Sequence, residues 1–241
     1  MTRTYRHALI IGAGSGLSAS LARLFAAKGL TVSLAARNPE DLAPLASEIH
    51  AAVYRCDAGD HRDVAALFSA LDAAEAAAPD VVVYNPSARQ RGALVDLDPE
   101  TVTKAVQVTA LGAFYTAREA ALRMQPDGAG TPGHGAILFT GASAGVKGYP
   151  RSAPFAMGKF ALRGLAQSLA RELHPCGIHI GHFVIDGGIA NPARPDRQDD
   201  PARPDAMLHP DAIAKSYWHF LAQDRSCWAW EIELRPWVET F

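Results

Sequence analysis

The strongest constraint on this chain is a short apolar run that glycine interrupts at once. Ala8-Leu9-Ile10-Ile11 suits a strand buried on both faces, and between Ser20 and Lys28 the residues Leu21, Leu24 and Phe25 return at helical spacing. Gly12-Ala13-Gly14-Ser15-Gly16-Leu17-Ser18 lies between them, so the backbone must turn sharply from strand into helix. Glycine permits that turn and lets the main chain approach a phosphate closely. The free N–H groups at the helix start favour negative charge there. The segment therefore predicts an α/β fold with an anion-binding first turn.

The rest of the chain continues the alternation. Strands are predicted over Thr31–Ala36, Ala51–Cys56, Val81–Tyr84, Ala136–Thr140, Ile178–Ile185 and Cys227–Leu234. Helices are predicted after Asn38-Pro39, with Asn38 as cap, and from His61, where Asp57 or Asp60 supplies the cap. Others run from Asp98-Pro99 to about Met124, from Ala153 to His174, and from Pro210 to about Gln223. Residues 126–135 are rich in glycine and proline and read as a surface connection. The fold class is thus a Rossmann-like, doubly wound α/β domain with a mainly parallel sheet and helices on both faces. A length of 241 residues suits a single domain spanning 1–241. Residues 187–210, with many Pro, Arg and Asp, read as a flexible lid.

A net charge of −2 gives no electrostatic case for nucleic acid or an anionic membrane surface. Cys56, Cys176 and Cys227 are scattered and lack metal spacing, which implies no metal site and a reducing, cytoplasmic setting. No stretch reaches the roughly 20 apolar residues of a membrane helix.

Counted from Gly12, the generic Gly-x-Gly-x-x-Gly fingerprint fails at Leu17, whereas Gly12-x-x-x-Gly16-x-Ser18 fits. That spacing resembles the short-chain dehydrogenase/reductase (SDR) family, with Ser18 where a third glycine is usual. The resemblance covers essentially the whole chain and implies an NAD(P)-dependent oxidoreductase acting on a small-molecule substrate. Cofactor contacts fall on Gly12, Gly14, Ser15, Gly16 and Leu17 in the turn, on Asp57 at the adenine, and on Asn85, which keeps one asparagine of the family's Asn-Asn-Ala-Gly. They fall also on Lys159 at the ribose and on Gly187 beside the nicotinamide. The end of the second strand offers Ala36 and Arg37 instead of an acidic residue. Arg37 is placed to meet a 2′-phosphate, which favours NADP(H) over NAD(H), the alternative being a solvated arginine at a helix start.

The catalytic set implied by the resemblance is mostly replaced. Thr109 stands at the asparagine position, Ala142 at the serine position and Phe155 at the tyrosine position, while Lys159 is retained. A phenyl ring has no proton to transfer. The substitute donors open to the chain are Tyr149, Ser143, Ser152, Tyr115 or Lys159 itself. A second reading follows, that of a catalytically silent dinucleotide-binding protein with a structural, sensing or partner-binding role. Asp186 adds a charge at the pocket mouth, and His182 reads as a hydrogen-bonded core histidine. The apolar girth of the 153–174 helix implies, by the same resemblance, a homodimer or homotetramer.

Overall fold

The computed structural model describes residues 4–74, 78–125, 133–191, 193–198 and 200–239. The predicted connection over 126–135 lies outside the described residues except for its last three positions. Seven parallel strands form the sheet in the order β3-β2-β1-β4-β5-β6-β9, where β1 is His7–Ile11, β2 Thr31–Ala36, β3 Ala52–Arg55 and β4 Val81–Tyr84, and β5 is Gly135–Thr140, β6 Ile178–Ile185 and β9 Glu231–Leu234. The chain winds outward from β1 to β3, then returns to pair β4 on the other side of β1. The reversal leaves a crevice at the carboxyl ends of β1 and β4, where ligands bind in such sheets.

Helices α1 (Leu17–Ala27), α2 (Ala43–Ile49) and α7 (Pro210–Leu221) share one side of the sheet; α3 (His61–Ala73), α5 (Gly112–Met124) and α6 (Ala153–Leu173) cover the other. Alternation along β1 feeds both layers. Ala8 and Ile10 pack with Phe25, Leu21 and Tyr217, whereas Leu9 and Ile11 pack with Phe68, Ala117 and Leu162. Two core layers on one sheet explain why the strands carry almost uninterrupted apolar runs.

The helix predicted from Asp98 to Met124 divides into α4 (Pro99–Val106), one wider π turn over Gln107–Leu111, and α5. Such turns concentrate at functional sites. At this one the Tyr84 hydroxyl donates to the Val108 carbonyl, and the Gln107 amide donates to the Gly59 carbonyl at 2.9 Å. A Cβ at Gly112 would clash with both the Ala58 carbonyl oxygen and the Tyr84 hydroxyl, so only glycine lets the helix seat there.

Other boundaries shift for local reasons. Asn38 precedes a 3₁₀ turn over Pro39–Leu42 but its side chain makes no cap bond. Asp60, not Asp57, caps α3 by accepting from the Arg62 amide at 2.8 Å. The last strand begins only at Glu231, because Arg225–Cys227 form a 3₁₀ turn and the Trp228 ring stacks on His179 at 4.2 Å between centroids. Within the expected lid, strands β7 (Gly188–Ile189) and β8 (Met207–Leu208) pair in parallel. Among the described residues, no helix is long and apolar enough to cross a membrane.

At the crevice Gly12 adopts φ +77°, and a Cβ there would sit 2.7 Å from Pro86. Ser18, nearly fully buried, donates from its hydroxyl to the Gly12 carbonyl at 3.0 Å and accepts from the Asn85 amide at 2.7 Å. The serine that replaces the third glycine thus ties the turn to β4. Ser18→Ala removes one partner from the part-buried Asn85 amide and one from the Gly12 carbonyl, which among the described residues keep only their mutual bond at 3.5 Å, and is expected to lower unfolding free energy in urea by about 1 kcal/mol.

Candidate active site

Two open clefts meet above the crevice. The first, about 950 Å³, is lined by Gly12, Gly14 and Ser15 of the turn, by Arg37 after β2, and by Asp57 after β3. The second, about 940 Å³, is lined by Gly16, Leu17, Ala142, Ser143, Tyr149, Phe155, Lys159 and Gly187. Asn85, Ser87 and Arg89, on the segment leaving β4, line both and make them continuous. Every cofactor-binding residue expected from the sequence therefore borders this one groove.

The start of α1 is open to an anion. No side chain caps it, and no acidic residue lies in its first turn. A Cβ at Gly14 would meet no atom within 4 Å, so glycine keeps the cleft floor clear. Arg37 is exposed at the far end of the first cleft, next to Ala36. Asp57 turns one carboxylate oxygen to the Gly59 amide at 3.0 Å, which fixes it at the cleft edge.

Lys159 arises from the first turns of α6 and is 2 % exposed. Its ammonium donates to the Thr140 carbonyl at 2.6 Å. Burial, and secondarily the charge of Arg89, push its pKa down to about 7. One turn earlier, the Phe155 ring lies 5.9 Å from the lysine nitrogen, and the Arg89 guanidinium stands over the same ring at 4.7 Å from its centroid. Arginine above an aromatic face is an attractive arrangement. Arg89 itself has a lowered pKa, first from partial burial and then from the neighbouring charges of Arg91 and Arg197.

Of the substitute proton donors, Tyr149 and Ser143 are brought together, the tyrosine hydroxyl donating to the serine oxygen at 3.0 Å inside the second cleft. Ser152 also borders that cleft, at the start of α6. Tyr115 does not, since it packs edge-on to His61 at 5.7 Å on the outer side of α5. Thr109 borders neither cleft. It is buried in the π turn and accepts from the Ala88 amide at 3.2 Å, which steadies the residue preceding Arg89.

Asp186 is buried, not exposed at a mouth, and its charge is offset by Lys147 at 3.3 Å and Arg235 at 3.5 Å. His182 is fully buried, bonded through Nδ1 to Glu231 at 2.9 Å, and burial takes its pKa down to about 4, so it is neutral at pH 7. Asn191, in the segment expected to form a lid, donates to the Ser15 hydroxyl at 3.3 Å. Arg89, Arg197 and Asn191 carry no sequence motif. Only the arginine content of 89–91 and 194–197 hinted at them.

A doubly wound sheet with a glycine turn and an uncapped helix at its crevice defines the class of dinucleotide-binding α/β proteins. The short chain dehydrogenase family model matches residues 6–200, and the chain belongs to that family of oxidoreductases. A trans-4-hydroxycyclohexanecarboxylate dehydrogenase of Sinomonas cyclohexanicum is 31% identical over 199 residues, covering 77% of this chain and 73% of the relative. A 3-dehydrosphinganine reductase of Arabidopsis thaliana is 31% identical over 182 residues, covering 73% of this chain; the match spans only 53% of that relative, about half its length. Among solved structures, a short-chain dehydrogenase from Rhodopseudomonas palustris superposes with a TM-score of 0.79 at 33% identity, covering 98% of this chain and 100% of that one. An alcohol dehydrogenase from Thermococcus sibiricus, complexed with 5-hydroxy-NADP, shares the fold at a TM-score of 0.83 and 21% identity, with 98% of each chain covered.

Proposed function

We propose that this chain is an NAD(P)-dependent oxidoreductase that prefers NADP(H) and acts on a small carbonyl or alcohol without the usual tyrosine as proton carrier. The observation that carries this reading is the continuous groove from Arg37, past the glycine turn, to the buried amine of Lys159. The donor set fits a dinucleotide: the open α1 terminus for its pyrophosphate, Arg37 for a 2′-phosphate, Asp57 for the adenine, and Asn85, Gly187 and Lys159 around the nicotinamide riboside. When bound, the cofactor supplies or takes up the hydride.

The chain's own part is to hold substrate and handle one proton. Lys159 carries that proton on Nζ, and with a pKa near 7 it exchanges it readily at neutral pH. The Tyr149–Ser143 pair is the second route, through the hydroxyl that faces the cleft. General acid catalysis contributes about 10²–10⁴ in rate, so a chain with Phe155 in place of the hydroxyl turns over slowly. That same residue supports the alternative reading of a silent dinucleotide binder.

The exposed apolar side chains Phe114, Leu122, Met157 and Phe160 on α5 and α6 support a homodimer or homotetramer, and free Cys176 and Cys227 agree with a reducing, cytoplasmic setting. Sedimentation of the purified chain is expected to give a dimer or tetramer mass, with Phe160→Glu shifting it to monomer. Calorimetric titration is expected to show micromolar NADPH binding, weaker NADH binding, and a loss on Arg37→Ala confined to NADPH. Absence of binding by either nucleotide overturns the oxidoreductase reading. Phe155→Tyr combined with Ala142→Ser is expected to raise carbonyl reduction by about 10²-fold or more. Binding with no turnover in either chain would favour the silent reading.

A further inference from the structure

The second cleft is basic beyond anything that hydride transfer needs. Arg89, Arg91, Arg151, Arg194 and Arg197 line it, against Asp186 and Glu239. Asp186 already has Lys147 and Arg235 as partners, so it offsets none of the five. Arg194 is engaged by Asp196 through two bonds, at 2.9 and 3.1 Å, and Arg197 lies 3.7 Å from the same carboxylate. Among the described residues, Arg89 and Arg91 form no ion pair with a carboxylate. Arg89 is instead held by the Phe155 ring, with its N–H edge free for a ligand.

Three elements distant in sequence converge to make this arrangement. Arg89 and Arg91 leave the end of β4, and the Arg151 carbonyl accepts from the Gly92 amide at 3.1 Å, which pins that segment to the start of α6. Arg197 comes from the segment after β7, where its backbone carbonyl accepts from the Asn191 amide at 2.7 Å and a Cβ at Gly188 would lie 3.3 Å from its guanidinium nitrogen. Like charges gathered beside one another repel, and the cost is relieved when an anion enters between them. Guanidinium groups are suited to planar or tetrahedral oxyanions because their paired N–H donors match two oxygens at once.

We infer that the second cleft takes a substrate bearing an oxyanion, a carboxylate or a phosphate monoester, which Arg89, Arg91 and Arg197 hold while the reacting carbon lies toward Lys159. This rests on the oxidoreductase reading and names the substrate class of that same site. It also gives Phe155 a positive role, since an apolar ring carries the arginine that a substrate anion meets.

The test is calorimetry on the NADPH-saturated full chain with levulinate, its methyl ester and dihydroxyacetone phosphate, in a buffer without phosphate or carboxylate. Levulinate or dihydroxyacetone phosphate is expected to bind at least about tenfold more tightly than the uncharged ester, and which of the two wins identifies the oxyanion. Arg91→Gln and Arg197→Gln alter neither the glycine turn nor any residue assigned to the cofactor, so each is expected to weaken the anionic probe about tenfold while NADPH affinity falls by much less. Arg197→Lys, which keeps the charge and loses the fork, is expected to recover part of the loss. Equal binding of acid and ester, no binding of either anion, or anion binding indifferent to both substitutions overturns the inference. If NADPH fails to bind while arginine-dependent anion binding persists in the free chain, the oxidoreductase reading falls and the anion site stands.

Discussion

The groove exists because one loop is held against one strand. Gly12, at a positive φ, brings the chain within reach of Pro86, and Ser18 closes the gap by bonding both the Gly12 carbonyl and the Asn85 amide. These contacts join β1 to β4 at the point where the sheet reverses direction. Loosening them would free the turn from the segment carrying Ser87 and Arg89, the residues through which the two clefts become one. The Ser18 hydroxyl is thus the link between the turn and β4.

Around that junction the protein treats polar groups in two ways. Lys159 is buried with its ammonium on the Thr140 carbonyl, and Thr140 in turn shares a bond with the Tyr217 hydroxyl at 2.9 Å, so the floor of the second cleft is rigid. Glu231 is shared between Arg163 at 2.7 Å and the neutral His182 at 2.9 Å, which closes the polar edge of β6 and β9. Of the arginines of the second cleft, Arg89, Arg91 and Arg151 are exposed and, among the described residues, form no ion pair with a carboxylate, while Arg194 and Arg197 share Asp196. Burial with a satisfied partner fixes geometry, whereas exposed unpaired charge is available to a ligand.

The residues that stand where the family resemblance implies a catalytic set fit this division. Thr109 is absorbed into packing, where the π turn meets α6 and the Ala88 amide. Phe155, where the resemblance implies a hydroxyl, supports the Arg89 cation, and Ala142 lines the same cleft. The C-terminal segment adds a wall: Arg235 pairs with both Asp186 and Glu233, Pro236 lies against Gly187, and Glu239 reaches the cleft rim. Phe155, Ala142 and the C-terminal segment thus meet at the second cleft, while Thr109 stays in the packing behind it.

The amino-acid sequence by itself determined the order of strands and helices, the doubly wound class and the glycine turn, because apolar periodicity and glycine placement act over a few residues. The family resemblance, and not the alternation alone, pointed to Gly12, Gly14, Ser15, Arg37, Asp57 and Asn85, which border the first cleft. The wider turn at Gln107–Leu111, the late start of β9 and the fate of each substitute donor were decided only by tertiary structure. Tyr115 and Tyr149 look alike in sequence, yet one packs outside against His61 and the other enters the cleft beside Ser143. The stack of Arg89 on Phe155 beside Lys159, with Arg197 arriving from the segment after β7, joins residues up to 108 positions apart. Such contacts are set by how elements pack, and no local pattern encodes them.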